Sequence, residues 1–149
     1  MSAKALAYAE QTLKVHEVFE ETTAQLSTLD VLTTDLDKAL DRKRELAEKY
    51  EDRYVQLLGE KRGTHPEMSD TGFKTRLREW EREDPELAIA RNDQMAVASE
   101  IQGLEFDIDM CKVRLRVGSA RMEELGGYLH YLAAVKQAEN ANNKTQEST

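Results

Sequence analysis

The chain has 149 residues and a formal net charge of −8, with 29 acidic and 21 basic side chains. That balance disfavours a general nucleic-acid coat or a protein that binds anionic membranes through its charge. It contains only seven glycines and two prolines, too few turn residues for a β-rich or loop-rich fold, so an all-α protein is predicted.

The first helix is predicted over about residues 3–60, because neither Gly nor Pro occurs before Gly59. A seven-residue repeat runs through it. Its d positions are Val15, Thr22, Leu29, Leu36, Lys43, Tyr50 and Leu57, and its a positions are Phe19, Leu26, Thr33, Leu40, Ala47 and Tyr54. Ten of these 13 are apolar, which is typical of a coiled-coil helix. Apolar g positions, such as Val18, widen the stripe and indicate more than one partner helix.

The next segment, 59–71, holds two glycines and a proline, a third glycine, Gly72, directly follows it, and it is predicted to be the turn. After it, Phe73, Leu77 and Trp80 have the spacing of one helical face, so a short amphipathic helix is expected over about 71–83 with Trp80 as its anchor. Asp84 followed by Pro85 then indicates an N-cap and the first position of a new helix.

The second long helix is predicted over about 85–137. Its a positions are Leu87, Gln94, Ile101, Ile108, Leu115, Met122 and Leu129, and its d positions are Ala90, Val97, Leu104, Cys111, Gly118, Leu125 and Leu132. Two long helices of similar length joined by one turn predict an antiparallel, coiled-coil-like hairpin with the short helix between them. Residues 1–138 are expected to form a single helical domain, and 139–149, without an apolar period, a disordered tail.

No pattern for catalysis or metal binding accompanies these helices. His16, His65 and His130 have no metal-ligand spacing, and Cys111 falls on a core d position, where an inert packing thiol is expected. We therefore predict no enzyme activity, no catalytic, cofactor-binding or metal-binding residues, and no cofactor.

A second apolar stripe lies on the far side of the last helix, away from its a and d positions. Phe106, Met110, Val113 and Val117 form it, Ala120 extends it, and Tyr131 lies on the same side further along. We predict that these six residues form a protein interface, used by an oligomeric adaptor or assembly factor. A homodimer in which two hairpins form a four-helix bundle is favoured, and a foreign protein partner is the alternative.

Two other functions stay open. Five basic residues near the turn could form a basic hairpin tip that contacts nucleic acid: Lys61, Arg62, Lys74, Arg76 and Arg78. Solvated charges of a loop are the simpler interpretation of these residues. The third function is an acidic inhibitor of another protein. In overall style the chain resembles the small helical proteins that phages and mobile elements encode.

Three features predict a cytoplasmic protein without a membrane partner. The single cysteine cannot form an intramolecular disulfide, and no apolar run approaches the roughly 20 residues that span a bilayer. The first residues also lack the continuous apolar stretch of a signal peptide.

Overall fold

The structure is a computed structural model that describes residues 3–147, so residues 148 and 149 of the predicted tail lie outside the described residues. It consists of three helices: α1 (Ala3–Thr64), α2 (Asp70–Glu83) and α3 (Pro85–Glu147). No strand occurs in residues 3–147, and the predicted all-α fold class is confirmed.

Both long helices continue past their predicted ends. Gly59 and Gly63 lie inside α1, where each costs roughly 1 kcal/mol relative to alanine but does not force a break. α1 ends at Thr64, just before the residue that precedes Pro66, because proline disfavours helical backbone at the preceding residue. The turn is therefore confined to residues 65–69 of the predicted 59–71.

The predicted disordered tail is helical as far as Glu147. Residues 139–147 have no period that a core could use, but they contain neither Gly nor Pro and include several good helix formers. A cross-helix ion pair between Lys4 and Glu139 lies where this stretch begins. Apolar patterning alone placed the end of α3 too early, because a helix needs no buried face to continue from a formed one.

Contacts between helices divide the chain into two compact units. The first unit contains the described residues of segments 1–31 and 108–149, and the second contains residues 32–107. The expectation of one domain through residue 138 stays a prediction, because two compact units can still unfold together.

In the first unit, α1 and α3 pack antiparallel. Lys4 pairs with Glu139, Thr22 lies beside Gly118, and the Cys111 thiol donates to the Gln25 carbonyl oxygen at 3.2 Å. Residue numbers rise on one helix while they fall on the other, as the hairpin prediction requires. The buried apolar side chains of this unit are Val18, Ile108 and Cys111.

The second unit has a third layer, because α2 packs against both long helices. Leu57 of α1, Phe73 and Trp80 of α2, and Leu87 of α3 form one buried cluster, which confirms Trp80 as the anchor of α2. The Phe73 and Trp80 rings meet edge to face with their centroids 5.6 Å apart. A second cluster joins Ala39, Val97 and Ile101 without α2.

A charged junction fixes the chain between α2 and α3. Asp84 caps α3 as predicted, since its Oδ2 accepts from the Leu87 backbone N–H at 3.0 Å. Arg53 of α1 donates to both carboxylate oxygens of Asp84, at 2.5 and 3.1 Å. Asp84 is only 8% exposed. The Arg53 guanidinium holds the pKa of Asp84 below its ordinary value, and hydrogen bonding to Asp84 raises the pKa of Arg53.

The face of α1 that meets α3 differs from the predicted one. Buried Val18 and Ala39 occupy g positions, whereas Phe19, Leu26 and Leu40 at a positions are 58%, 52% and 39% exposed. The predicted a and d seam of α1 is therefore wrong at these three a positions, whereas Tyr54, also an a position, packs against the buried cluster around Leu57. The repeat has apolar side chains at its a, d and g positions. Packing against α3 decides which of them are covered, and these are mainly the d and g positions.

Candidate interaction surface

α3 keeps its predicted division into a buried face and an outer face. Ile108 and Cys111 at a and d positions are buried, and Leu115 is half-buried. Between them on the outside lie Met110, Val113 and Val117, which are 39%, 47% and 62% exposed. All three side chains are therefore at the surface.

The remaining residues of the predicted interface are also at the surface. Phe106, in the second unit, is 65% exposed; Tyr131, in the first, is 63% exposed, and Ala120 is exposed as well. We call the three residues Met110, Val113 and Val117, all in the first unit, the outer stripe of α3. They are spaced at three and four residues along the helix, so they share a face.

Next to the outer stripe, the two helices of the first unit approach each other closely at Gly118. A Cβ added there would lie 2.7 Å from the Thr22 Oγ1, which is closer than van der Waals contact allows. Glycine at position 118 therefore permits a close approach of the two helices. Such an approach is absent at Gly103, where an added Cβ would meet nothing within 4 Å.

An open groove of about 330 Å³ runs along this close approach. Val18 and Thr22 line it from α1, and Val113 and Val117 line it from α3. Glu21 lies on one of its walls and Arg114 and Arg121 on the other. Two residues of the outer stripe therefore border an additional apolar depression with charged edges.

Cys111 behaves as the packing residue that the sequence predicted. It is 2% exposed, and its thiol lies 3.2 Å from the Gln25 carbonyl oxygen and 3.4 Å from the Gln25 side-chain oxygen. Its place in the seam gives the α1 to α3 contact a specific polar partner at Gln25.

Charged residues on either side of the outer stripe change sign along the helix. Asp107 and Asp109 precede its middle, and Arg114, Arg116 and Arg121 follow it. Within residues 3–147, no ion pair involves any of these five side chains. The outer face thus carries acids at one end and bases at the other, with no intramolecular partner for them.

The five residues of the predicted basic tip have different surroundings. Lys61 lies with its Nζ 5.3 Å from the centroid of the Trp80 ring, and the Arg62 guanidinium is 4.5 Å from the Phe73 ring. Arg62 also forms an ion pair with Asp70. Both cations of α1 therefore help to hold α2 in place.

Lys74, Arg76 and Arg78 are exposed on α2. Lys74 and Arg78 share a groove of about 540 Å³ with two threonines and Glu81. Arg76 is not among the residues that line it. The structure brings together two of the five basic residues here and uses two others in packing.

The sequence prediction missed that α1 also exposes apolar side chains. Phe19 and Leu26 in the first unit, seven residues apart and therefore on one face, are both more than half exposed. Both are a positions of the repeat and were assigned to the seam. The apolar g positions, which made the stripe too wide for one contact, were the signal that could have identified them.

Residues 3–147 hold no group of three His, Cys, Asp or Glu side chains that could hold a metal ion. Among the helices described, none has the length and apolar character needed to cross a membrane. Comparison of the chain with known protein families, curated proteins and solved structures found no match.

Proposed function

We propose that this chain is a non-enzymatic helical interaction protein, an adaptor or assembly factor, that acts through the outer stripe of α3. The observation that carries the proposal is the exposure of Met110, Val113 and Val117 on a helix whose other face is already packed. A contiguous apolar patch on a soluble domain is commonly a site of association, because covering it removes apolar area from water.

A second copy of the chain is the favoured partner. Burial of each large apolar side chain contributes roughly 1.5 to 3 kcal/mol relative to exposure, so a few of them can drive dimerisation. A two-fold dimer uses the same patch on both subunits, which doubles the number of buried side chains. Two helical pairs joined in this way would form the predicted four-helix assembly.

Light scattering on the purified chain tests the proposal. We expect a dimer for the wild type and a monomer for the double variant Met110→Glu with Val113→Glu, because the two glutamates place charges in an apolar contact. Ala24→Glu with Ser27→Glu is the matched control, since it adds two glutamates at the same spacing on exposed positions of α1. A monomeric wild type, or a double variant that stays dimeric, would contradict self-association through this stripe.

A nucleic-acid accessory function is the second candidate. Three exposed cations without an ion pair in the described residues support it: Lys74, Arg76 and Arg78. We expect fluorescence anisotropy to detect DNA or RNA binding at 50 mM salt that weakens at 150 mM if this function holds. Lys74→Ala, Arg76→Ala and Arg78→Ala together should abolish that binding, and a wild type that binds neither nucleic acid at 50 mM excludes it.

A further inference from the structure

We propose that the groove between α1 and α2 binds single-stranded nucleic acid, with a base on the Tyr54 ring and the adjoining phosphates on Lys74 and Arg78. This inference rests on the second candidate function, because it uses two of the same cations. It adds the aromatic contact, the kind of strand and the boundaries of the site. All residues that line the groove belong to the second compact unit, 32–107.

The two cations of the groove lie on one face of α2. Lys74 and Arg78 are four residues apart on this helix, about 6 Å along its axis, and both are exposed. Neither forms an ion pair within residues 3–147. Two such cations, one helical turn apart, can neutralise phosphates of the same strand.

The groove continues from these cations toward the start of α2. Thr71 lines it in the first turn of the helix, where the helix dipole is positive and favours an anion. The acid of that turn, Asp70, forms an ion pair with Arg62, so its charge is already compensated. This end of the groove therefore favours a phosphate.

The fold brings an aromatic ring to the cations. Tyr54 of α1 lines the same groove, whereas the two aromatic side chains of α2, Phe73 and Trp80, are buried. The Tyr54 ring is half-buried and lies nearly parallel to the Tyr50 ring, with the centroids 6.5 Å apart. A ring that is already held in place loses little freedom when a ligand contacts it.

Glu81 lines the opposite end of the groove from Thr71. Its carboxylate accepts a hydrogen bond from the Tyr50 hydroxyl, and its negative charge repels a phosphate at that end. Two cations and one carboxylate line the groove, so its own charge is positive, although the net charge of the chain is −8. The phosphates of a bound strand are therefore directed to Lys74 and Arg78.

The ring and the cations together indicate the class of ligand. Proteins that bind single strands combine a positive groove for the backbone with aromatic side chains on which bases stack. In a duplex the bases are already stacked and paired, and a free phosphate has no base to place on Tyr54. The groove volume of about 540 Å³ lies within the range of small-ligand sites, which fits a nucleotide unit of a strand.

Fluorescence anisotropy with a labelled single-stranded oligothymidylate of about 12 nucleotides tests the cations. We expect binding at about 50 mM salt, and Lys74→Ala with Arg78→Ala should weaken it. The double variant should also reduce the slope of log K against log salt by about 1.4, because each phosphate contact on a single strand contributes about 0.7. The matched control is Lys38→Ala with Arg82→Ala, which removes one exposed lysine and one exposed arginine of the same unit outside the groove and should keep the slope.

Two substitutions of Tyr54 test the ring. Tyr54→Leu should raise the Kd roughly tenfold, equivalent to about 1.4 kcal/mol, without changing the salt slope. Tyr54→Phe keeps the ring and should bind as the wild type does. Because Tyr54 also packs against the cluster around Leu57, circular dichroism should confirm that both variants are folded. A duplex of the same length should bind more weakly, and Tyr54→Leu should not affect its binding.

Several results would overturn the groove as the site. A wild type that binds neither DNA nor RNA at about 50 mM salt would overturn it together with the second candidate function. Strand binding that the triple alanine variant at Lys74, Arg76 and Arg78 abolishes, but that Tyr54→Leu leaves unchanged, would overturn the groove alone. Displacement of the strand by inorganic phosphate, free thymidine monophosphate or polyglutamate as effectively as by unlabelled strand would also overturn it. Self-association through the first unit has its own test, whose outcome does not affect this one.

Discussion

The two compact units use the same pair of long helices but cover them differently. Of the ten buried apolar side chains in the described part of the chain, seven lie in the second unit, where α2 adds a third layer, and three lie in the first. The first unit instead exposes Phe19 and Leu26 on α1 and the outer stripe on α3. Two helices bury one face each, so without a third element their remaining apolar faces stay in water. The first unit is consequently where a second molecule would add most.

Truncation of the α2 anchor should give the largest difference between the units. Trp80→Ala removes a side chain that packs on Phe73 and lies 5.0 Å from the His65 ring, and we expect a loss of about 3 to 5 kcal/mol of unfolding free energy. Val18→Ala in the first unit should cost only about 1 to 2 kcal/mol. Urea unfolding with amide hydrogen exchange measures both. Equal losses in the two variants would remove the contrast between the units.

Removal of the charged junction should weaken the second unit by a somewhat smaller amount. Asp84→Ala loses the α3 cap and leaves Arg53 without its closest partner, so we expect about 2 to 4 kcal/mol less stability at neutral pH. Asp84→Asn, which keeps an acceptor for the Leu87 N–H, should lose less.

Asp84 should also make the stability of the protein depend on pH in the acid range. The pKa of Asp84 is lower in the folded state than in the unfolded state. Its contribution to the free energy of unfolding is therefore present above about pH 4 and is lost as pH falls through the folded pKa. Urea unfolding from pH 7 to pH 2 should therefore show a smaller loss for Asp84→Ala than for the wild type. Parallel curves for the two proteins would show that Asp84 has no such role.

Two glycine substitutions compare the helix contacts in the two units. Gly118→Ala in the first unit should lower stability by about 1 to 2 kcal/mol, because the new methyl would overlap Thr22, whose hydroxyl also bonds the Val18 carbonyl. Gly59→Ala in the second unit meets nothing within 4 Å and should raise stability by about 1 kcal/mol. Thermal unfolding reports both changes. Adding Thr22→Ala should restore part of the loss in Gly118→Ala, and a double variant without recovery would show that the two residues do not clash.

The smallest effect concerns Tyr50 in the second unit. Burial, together with its hydrogen bond to the Glu81 carboxylate, raises the pKa of Tyr50 to about 12. The stabilisation that Tyr50 gives the folded state is complete below the unfolded pKa of about 10 and is lost as pH rises through 12. Ultraviolet titration of the wild type against Tyr50→Phe should show that high transition disappear. Glu81→Gln should lower this pKa, and an unchanged titration in that variant would exclude the hydrogen bond as a cause.

The parts of the fold that were predictable depend on local patterns. The a and d positions of α3 are buried or half-buried, as predicted, because this is the stripe that packs against α1. Ser69 caps α2 by accepting from Gly72, and Asp84 caps α3, since capping involves residues only three positions apart. The exposure of the outer stripe also follows from spacing, because a helix buries one side against one neighbour.

Other features depended on which side chains meet across the fold. Phe19 was assigned to the seam because its spacing fits, yet the α1 face that packs uses Val18 instead. Arg62 was counted as a free basic residue, but its ring contact with Phe73 arises only once α2 folds back on α1. Neither outcome can be obtained from one helix, because the partner residues are distant in sequence.

The sequence by itself determined three helices, an all-α fold and the buried face of α3. Those properties follow from period, capping and composition, which act within a few residues. Only the tertiary structure decided the register of α1, the use of Lys61 and Arg62 in packing, and the division into a three-layered and a two-layered unit. The hydrophobic effect is non-directional, so among equally apolar faces the buried one is the face that packs closely against another helix.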